Sequence, residues 1–398
     1  MVGCLLLSLL SSGCAITYSD GSGAHTPSEP TSKPEQLMEK VITVKTTLTT
    51  TGSSAWRVSE MSVPRRETLR SVFFLDSDLG WAGGKGVLYR TNDGGESWLP
   101  VEIDLQNDTF VTQILFTNKS IGWLIIQKEA ASPLTYHDNY FRLLQTTDGG
   151  TTWKTQLEDK DSVVNRIRLS GEREVWLIGL KYTSLEPLRA HDFIMHSTDF
   201  GESWKDVSEP LNEVLRGIPI KVEFTDALPD GPGRLSVLLP RGSVFKTQDA
   251  GQSWHRQNGT IDDSSYACSC HLGVTNNQLT WVGGDKDDSH SVLGMVAIRD
   301  VDSWREYILF GVSFSDILFL SRDRVLTCGS TTPKQQGYTE KREAVVTYSS
   351  DGGTSWSFVY RNPKAKRINA ISAVDSRHVW AVGDDGLILR LTATMKAD

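Results

Sequence analysis

Aspartates recur along this 398-residue chain at a spacing that invites a catalytic reading. Asp93, Asp148, Asp199, Asp249 and Asp351 each hold the third position of one box: TNDGGESW (91–98), TTDGGTTW (146–153), STDFGESW (197–204), TQDAGQSW (247–254) and SSDGGTSW (349–356). A turn aspartate can act as general acid or base, or ligate a cation, when further groups converge on it. Copies this far apart in sequence belong to separate structural units and do not converge. Gly supplies the positive φ of a tight hairpin and Asp accepts the backbone N–H groups that pin it, so the five read as fasteners. The acid pairs Asp262–Asp263, Asp287–Asp288 and Asp384–Asp385 fall in loops or turns, and DKDD (285–288) offers too few oxygens for calcium. Beyond a leader, the cysteines are Cys268, Cys270 and Cys328, with no C-x-x-C or H-x-x-H spacing. No metal and no cofactor are expected.

Two other sets suit recognition better than reaction. Tyr136, His137, Tyr140, Tyr182, Arg189, His191 and Arg342 gather in polar stretches, where aromatic and cationic side chains would meet a partner. Arg70, Arg166, Arg168, Lys221 and Arg367 lie on or beside alternating apolar segments and would form a cationic mouth for an acidic segment. Strand alternation throws part of any such set outward.

The elements that carry these residues follow from the repeat. The box tryptophans Trp98, Trp153, Trp204 and Trp254 are spaced 50 to 55 residues apart, and Trp356 follows after 102, twice that interval. The degenerate IRDVDSW (298–304) supplies the missing member, Trp304. Each box is preceded by an apolar strand, usually carrying Trp, such as IGWLII (121–126) or EVWLIG (174–179). Upstream of that lies an alternating strand such as TQILFTN (112–118). A period near 50 is that of a four-stranded blade. The expected fold is all-β, a seven-bladed β-propeller over 51–392. Trp56 in TGSSAWRVSE (51–60) would begin an N-terminal strand that completes the last blade and leaves no free edge. All twelve tryptophans then have architectural posts. Connections between second and third strands are terse at GGKG (83–86), PRG (240–242) and GDDG (383–386). They are long at 126–141, 179–193, 283–294 and 329–344. Insertions on one rim mark the expected binding face.

The signature resembles a known family. SVFFLDSDLGWAGGKGVLYRTNDGGESW (71–98) and ISAVDSRHVWAVGDDGLILRL (371–391) are similar to the photosystem II stability/assembly factor family of seven-bladed propellers. The resemblance covers about residues 50–392, with LSVLLPRG lacking the Trp and IRDVDSW the Gly. It implies an exported, non-catalytic scaffold that holds an unassembled membrane-protein partner, here expected as a monomer. Sialidases also carry such boxes, but pair them with an Arg-Ile-Pro motif. Here RGIP (216–219) has an inserted Gly and stands mid-chain. A carbohydrate-active or carbohydrate-binding propeller remains the rival reading.

Charge and leader bound the setting. A net charge of −8 argues against a nucleic-acid partner, which requires a basic face. MVGCLLLSLLSSGCA (1–15) is too short to span a bilayer and reads as the apolar core of an export signal. SSGC resembles a bacterial lipoprotein cleavage box, which makes Cys14 the expected lipidation site, with simple secretion as the alternative. Residues 15–50, rich in Ser, Thr, Gly and Pro at their start, are expected to be a flexible linker and 393–398 a tail. The location expected is periplasmic or cell-surface.

Overall fold

In all five intact boxes the hydrogen bonding is the same. Thr91, Thr146, Ser197, Thr247 and Ser349 each donate a hydroxyl hydrogen to the box aspartate at 2.7–2.9 Å. Each also accepts the N–H of the glycine at the fifth box position at 2.8–2.9 Å. The aspartate accepts the backbone N–H of the residue before the Trp, at 2.8–2.9 Å, and that residue's hydroxyl on its other oxygen. A second fastening was not read from the sequence. The N–H of Gly94, Gly149, Phe200, Ala250 and Gly352 donates to a carbonyl in the turn joining the first two strands of the same sheet. That fourth box position has φ between 58° and 74°, which Phe200 and Ala250 adopt without being glycine.

The structure is a computed structural model. It describes residues 40–49, 55–106, 108–128, 138–171, 173–185, 188–216, 226–239, 244–257, 271–275, 278–288, 291–299, 303–332 and 342–394. The protein is an all-β propeller whose described strands form seven sheets, numbered here by the position of their inner strands. In the first sheet Leu69–Phe74, Gly80–Gly84, Val87–Thr91 and Leu99–Pro100 run from inside to outside, and the box joins the third and fourth strands. The same order holds for the second sheet (Phe110–Phe116 to Lys154–Lys160), the third (Ser162–Ser170 to Lys205–Asp206) and the fourth (Asp226–Gly231 to His255–Arg256). Trp56–Ser62 pairs antiparallel with Leu387–Ala393, as the outer strand of the seventh sheet.

Burial follows strand order. The second strands GWAGG, GWLIIQK and HVWAVG are buried almost end to end, because neighbouring sheets cover both faces. Outer strands such as Lys154–Lys160 are largely exposed. Second-strand tryptophans cross the seams between sheets. Trp81 stacks on Phe116 of the second sheet with centroids 3.7 Å apart, and Trp380 stacks on Phe74 of the first at the same distance. The Trp380 indole N–H also donates to Gly94 O at 2.9 Å. The box tryptophans Trp98 and Trp153 brace those same phenylalanines edge-on, at 5.9 and 6.0 Å, from within their own sheets. Both of these seams thus show an indole–phenyl–indole arrangement, with pairs worth about 0.5–1.5 kcal/mol beyond the area they bury.

Inner strands carry a recurring β-bulge. Register slips between Leu69 and Ser71, Val111 and Gln113, Val164 and Arg166, Phe314 and Asp316, and Ile368 and Ala370. A bulge re-aims side chains and bends the strand. Opposite four of these sites stand Gly84, Gly179, Gly329 and Gly383, where a Cβ would meet the carbonyl oxygens of Thr68, Val163, Ser313 and Arg367 at 1.9–2.4 Å. The glycine three residues after the second-strand Trp makes room for the bulge in the first, third and seventh sheets.

Two expectations about connections change. The stretches 179–193 and 283–294, expected as loops, are the facing ends of β-hairpins, Glu174–Leu185 with Leu188–Ser197 and Gln278–Asp288 with Ser291–Arg299. Residues 40–49, expected inside the flexible linker, hold two strands. Lys40–Lys45 runs parallel to Ser303–Leu309 in the fifth sheet, and Thr47–Thr49 runs parallel to the start of Ser355–Asn362 in the sixth.

Candidate functional site: a bulge-lined central cavity

The bulges bring inner strands of the first, second, third, sixth and seventh sheets around one cavity of about 310 Å³. Arg70, Thr112, Ser315 and Asn369 are bulge residues, and all four line it. The bulged end of an inner strand pairs with the second-strand end that leads into the third strand, as Leu69 pairs with Gly84. The cavity therefore lies toward the rim that carries the variable connections, away from the boxes.

Side chains around it staple sheet to sheet. Ser71 Oγ donates to Val111 O at 3.1 Å, and Gln113 donates to Asn165 O at 2.9 Å while accepting Ile167 N–H at 3.0 Å. Asp316 accepts Ile371 N–H at 3.1 Å, and Asn369 Nδ2 donates to Leu69 O at 2.8 Å, linking the seventh sheet to the first. Arg166 Nε and Arg168 Nη2 donate to one oxygen of Asp226 at 3.2 and 2.6 Å, and Arg168 Nε donates to Ala227 O at 2.9 Å. Asp226 is almost fully buried, whereas the two arginine side chains keep 24% and 32% of their surface open, toward the cavity. Enclosure pulls the Arg168 guanidinium below its ordinary pKa, and Asp226 opposes that by favouring the charged form. The Arg70 guanidinium lies 3.6 Å over the ring centroid of Phe110.

The carboxylates here have partners: Asp226 holds two arginines, and Asp316 takes the amides of Ile317 and Ile371. No tyrosine or glutamate is among the described residues lining the cavity. The guanidinium groups of Arg70, Arg166 and Arg168 around this small polar space suit an anionic group.

The structure brings Arg70, Arg166 and Arg168 together at the cavity, whereas Arg367 is not among its lining residues and donates Nε to Ser315 Oγ on its wall at 2.5 Å. Lys221, Tyr136 and His137 lie outside the described residues. Tyr140 opens a third strand, half-buried. Its hydroxyl donates to Glu158 at 3.0 Å, and burial first, then Glu158, raises its pKa. In the third-sheet hairpin Tyr182 pairs with Ala190 and Lys181 with the exposed His191, while the backbone of Arg189 pairs with Ser184. Arg342 is exposed just before Ala344–Ser349. Sequence reasoning missed Gln113, Asp226, Asp316 and Asn369; a polar pair inside an otherwise apolar inner strand, TQ at 112–113 and SD at 315–316, is a signal that could have found Gln113 and Asp316.

The family model "Photosynthesis system II assembly factor YCF48" matches residues 138–277. "Photosystem II assembly protein Ycf48" from Synechococcus sp. (strain JA-2-3B'a(2-13)) is 28% identical over 305 residues, 69% of this chain and 81% of that protein. The protein of the same name from Synechococcus sp. (strain JA-3-3Ab) is 29% identical over 297 residues, 73% of this chain and 75% of its own length. A solved structure described as "YCF48 bound to D1 peptide" superposes with a TM-score of 0.57 at 18% identity, over 87% of this chain and 99% of that one. The WD40 propeller domain of Doa1 superposes at 0.56 and 11% identity, covering 86% and 97%, a likeness of fold alone. The repeats, the propeller and these relatives together make the chain similar to the photosystem II assembly factor-like family of β-propellers.

Proposed function

We propose that the protein is an exported, non-catalytic assembly factor that holds a protein subunit of a membrane complex, as the names of its relatives suggest. In this reading the seven sheets are seven blades of a closed ring, and the central cavity takes an acidic segment of the partner. The variable rim, with Tyr182, His191 and Arg342, holds the flanking chain. The observation that carries it is the convergence of Arg70, Arg166 and Arg168 on one bulge-lined cavity whose carboxylates are already engaged. A relative described as bound to a D1 peptide gives a precedent for peptide capture on this fold. Relatives named "Photosystem II assembly lipoprotein Ycf48" lend the same support to lipidation at Cys14.

The test is affinity capture from native membranes with the mature protein, followed by binding of acidic and neutral peptides drawn from the captured subunit. An acidic peptide should bind, and binding should weaken with added salt and with Arg70→Ala at unchanged melting temperature. Equal binding of neutral peptides would end the cavity assignment. Turnover of any member of a glycan panel would replace this reading with the carbohydrate-active one.

A further inference from the structure

The outer strand of the fifth sheet is buried over Glu306–Leu309, where the outer strands of the first three sheets are largely exposed. In Ser303–Leu309, Glu306 and Leu309 are at most 1% accessible, with Tyr307 at 4% and Ile308 at 8%. In the outer strands Leu99–Pro100, Lys154–Lys160 and Lys205–Asp206 the exposed class dominates. The N-terminal strand Lys40–Lys45, KVITVK, lies along Ser303–Leu309 with six paired positions from Lys40–Ser303 to Lys45–Ile308. At the crossing to the next sheet, Thr46 is buried and its hydroxyl donates to Ile308 O at 2.9 Å. Thr47–Thr49 then pairs with Ser355–Ser357, and Leu48 packs on the apolar group of Tyr307, Phe314, Trp356 and Phe358 that spans the seam. Trp56–Ser62 next supplies the outer strand of the seventh sheet. One run of chain thus lies along three consecutive sheet edges. Its β-branched residues Val41, Ile42, Thr43, Val44, Thr46 and Thr47 favour extended structure.

We propose that Lys40–Thr49 is a clasp: seated, it holds the fifth and sixth sheets as one body through backbone bonds across their seam, and when it leaves, the outer strands of those two sheets open locally. Between the first and second sheets the described backbone links are a single bridge, Lys85 with Phe110, and the bond from Gly86 N–H to Thr109 O, while the described bonds joining neighbouring inner strands from the first to the fourth sheet involve side chains. The clasp adds a backbone ladder on each side of its seam, and those bonds are lost in sequence once an end is freed.

Hydrogen exchange tests this by comparing the full chain with a variant that lacks residues 1–49 but keeps Trp56–Ser62. The clasp requires amides of Ser303–Leu309 and Ser355–Ser357 to exchange at least tenfold faster in the variant, with Leu69–Phe74 and Phe110–Phe116 unchanged. Unchanged exchange at Ser303–Leu309 overturns it, as does uniform acceleration across all sheets. Should the shortened chain not fold, the paired positions Ile42 and Arg305 can be joined in the full chain by Ile42→Cys with Arg305→Cys. Cross-linking should slow exchange in the same two strands, reversibly on reduction, relative to each single variant. Failure to cross-link, or a cross-link without that protection, refutes the clasp.

Discussion

Hydrogen bonds from Ser97, first its hydroxyl and then its backbone amide, together with the Thr91 hydroxyl, hold the Asp93 carboxyl at a pKa of about 2. The Thr152 and Ser203 donors hold Asp148 and Asp199 at about 2 in the same way. These values lie below the ordinary 3.8, so the boxes' contribution to stability is full above pH 3.8 and is lost as pH falls toward 2. The stability gap between the wild-type protein and Asp93→Ala should accordingly be constant at neutral pH and close between about pH 4 and pH 2, read by chemical denaturation at each pH. Asp351→Ala, which removes the acceptor for Ser349, Ser355 and the Ser355 amide, should cost about 1–2 kcal/mol in the same assay. Neither change should alter peptide binding, because the boxes lie at the end of the sheets remote from the cavity. Loss of binding without loss of stability would show that the boxes do more than fasten.

Among elements, the inner strands decide what the fold can bind. The second-strand glycines were visible in the sequence as part of the repeat, yet their reason was not. Gly329 has no room for a Cβ because Ser313 O would lie 1.9 Å from it. Gly329→Ala should therefore flatten the bulge or strain it, costing about 1–3 kcal/mol by thermal denaturation and shifting Ser315 and Asp316 at the cavity wall. The strands themselves were legible, since alternation marks inner strands and unbroken apolar runs mark second strands. The bulges were not: the extra residue changes the phase of alternation, but it sits near the start of each strand, where few residues precede it to reveal the change, and it is identified by the pairing register. For that reason the arginines Arg70, Arg166 and Arg168 could be named from sequence, while their partners Asp226 and Gln113 could not. The two long hairpins were misread as loops because Pro187 and the DKDD run suggest irregular chain, whereas cross-strand pairing overrides that local preference.

On the scale of the whole molecule, the described sheets are held at their seams rather than by one core. Trp380 is fully buried, stacks on Phe74 and donates to Gly94 O, so it joins the last sheet to the first. Trp380→Ala should cost about 3–5 kcal/mol, measured by chemical denaturation, and should loosen the first and seventh sheets before the others. Spacing of the tryptophans was enough to foresee the repeat and the role of Trp56, because a blade's period survives where its turn residues do not. Which indole faces which neighbour needed three dimensions. That arrangement also makes the molecule its own optical probe. Trp81 and Trp380 each sit stacked at a different junction, so the difference in emission between the wild-type chain and a single Trp81→Phe or Trp380→Phe variant reports one junction at a time. A partner that pries open a single junction would then announce its place of attack by the colour shift of one residue.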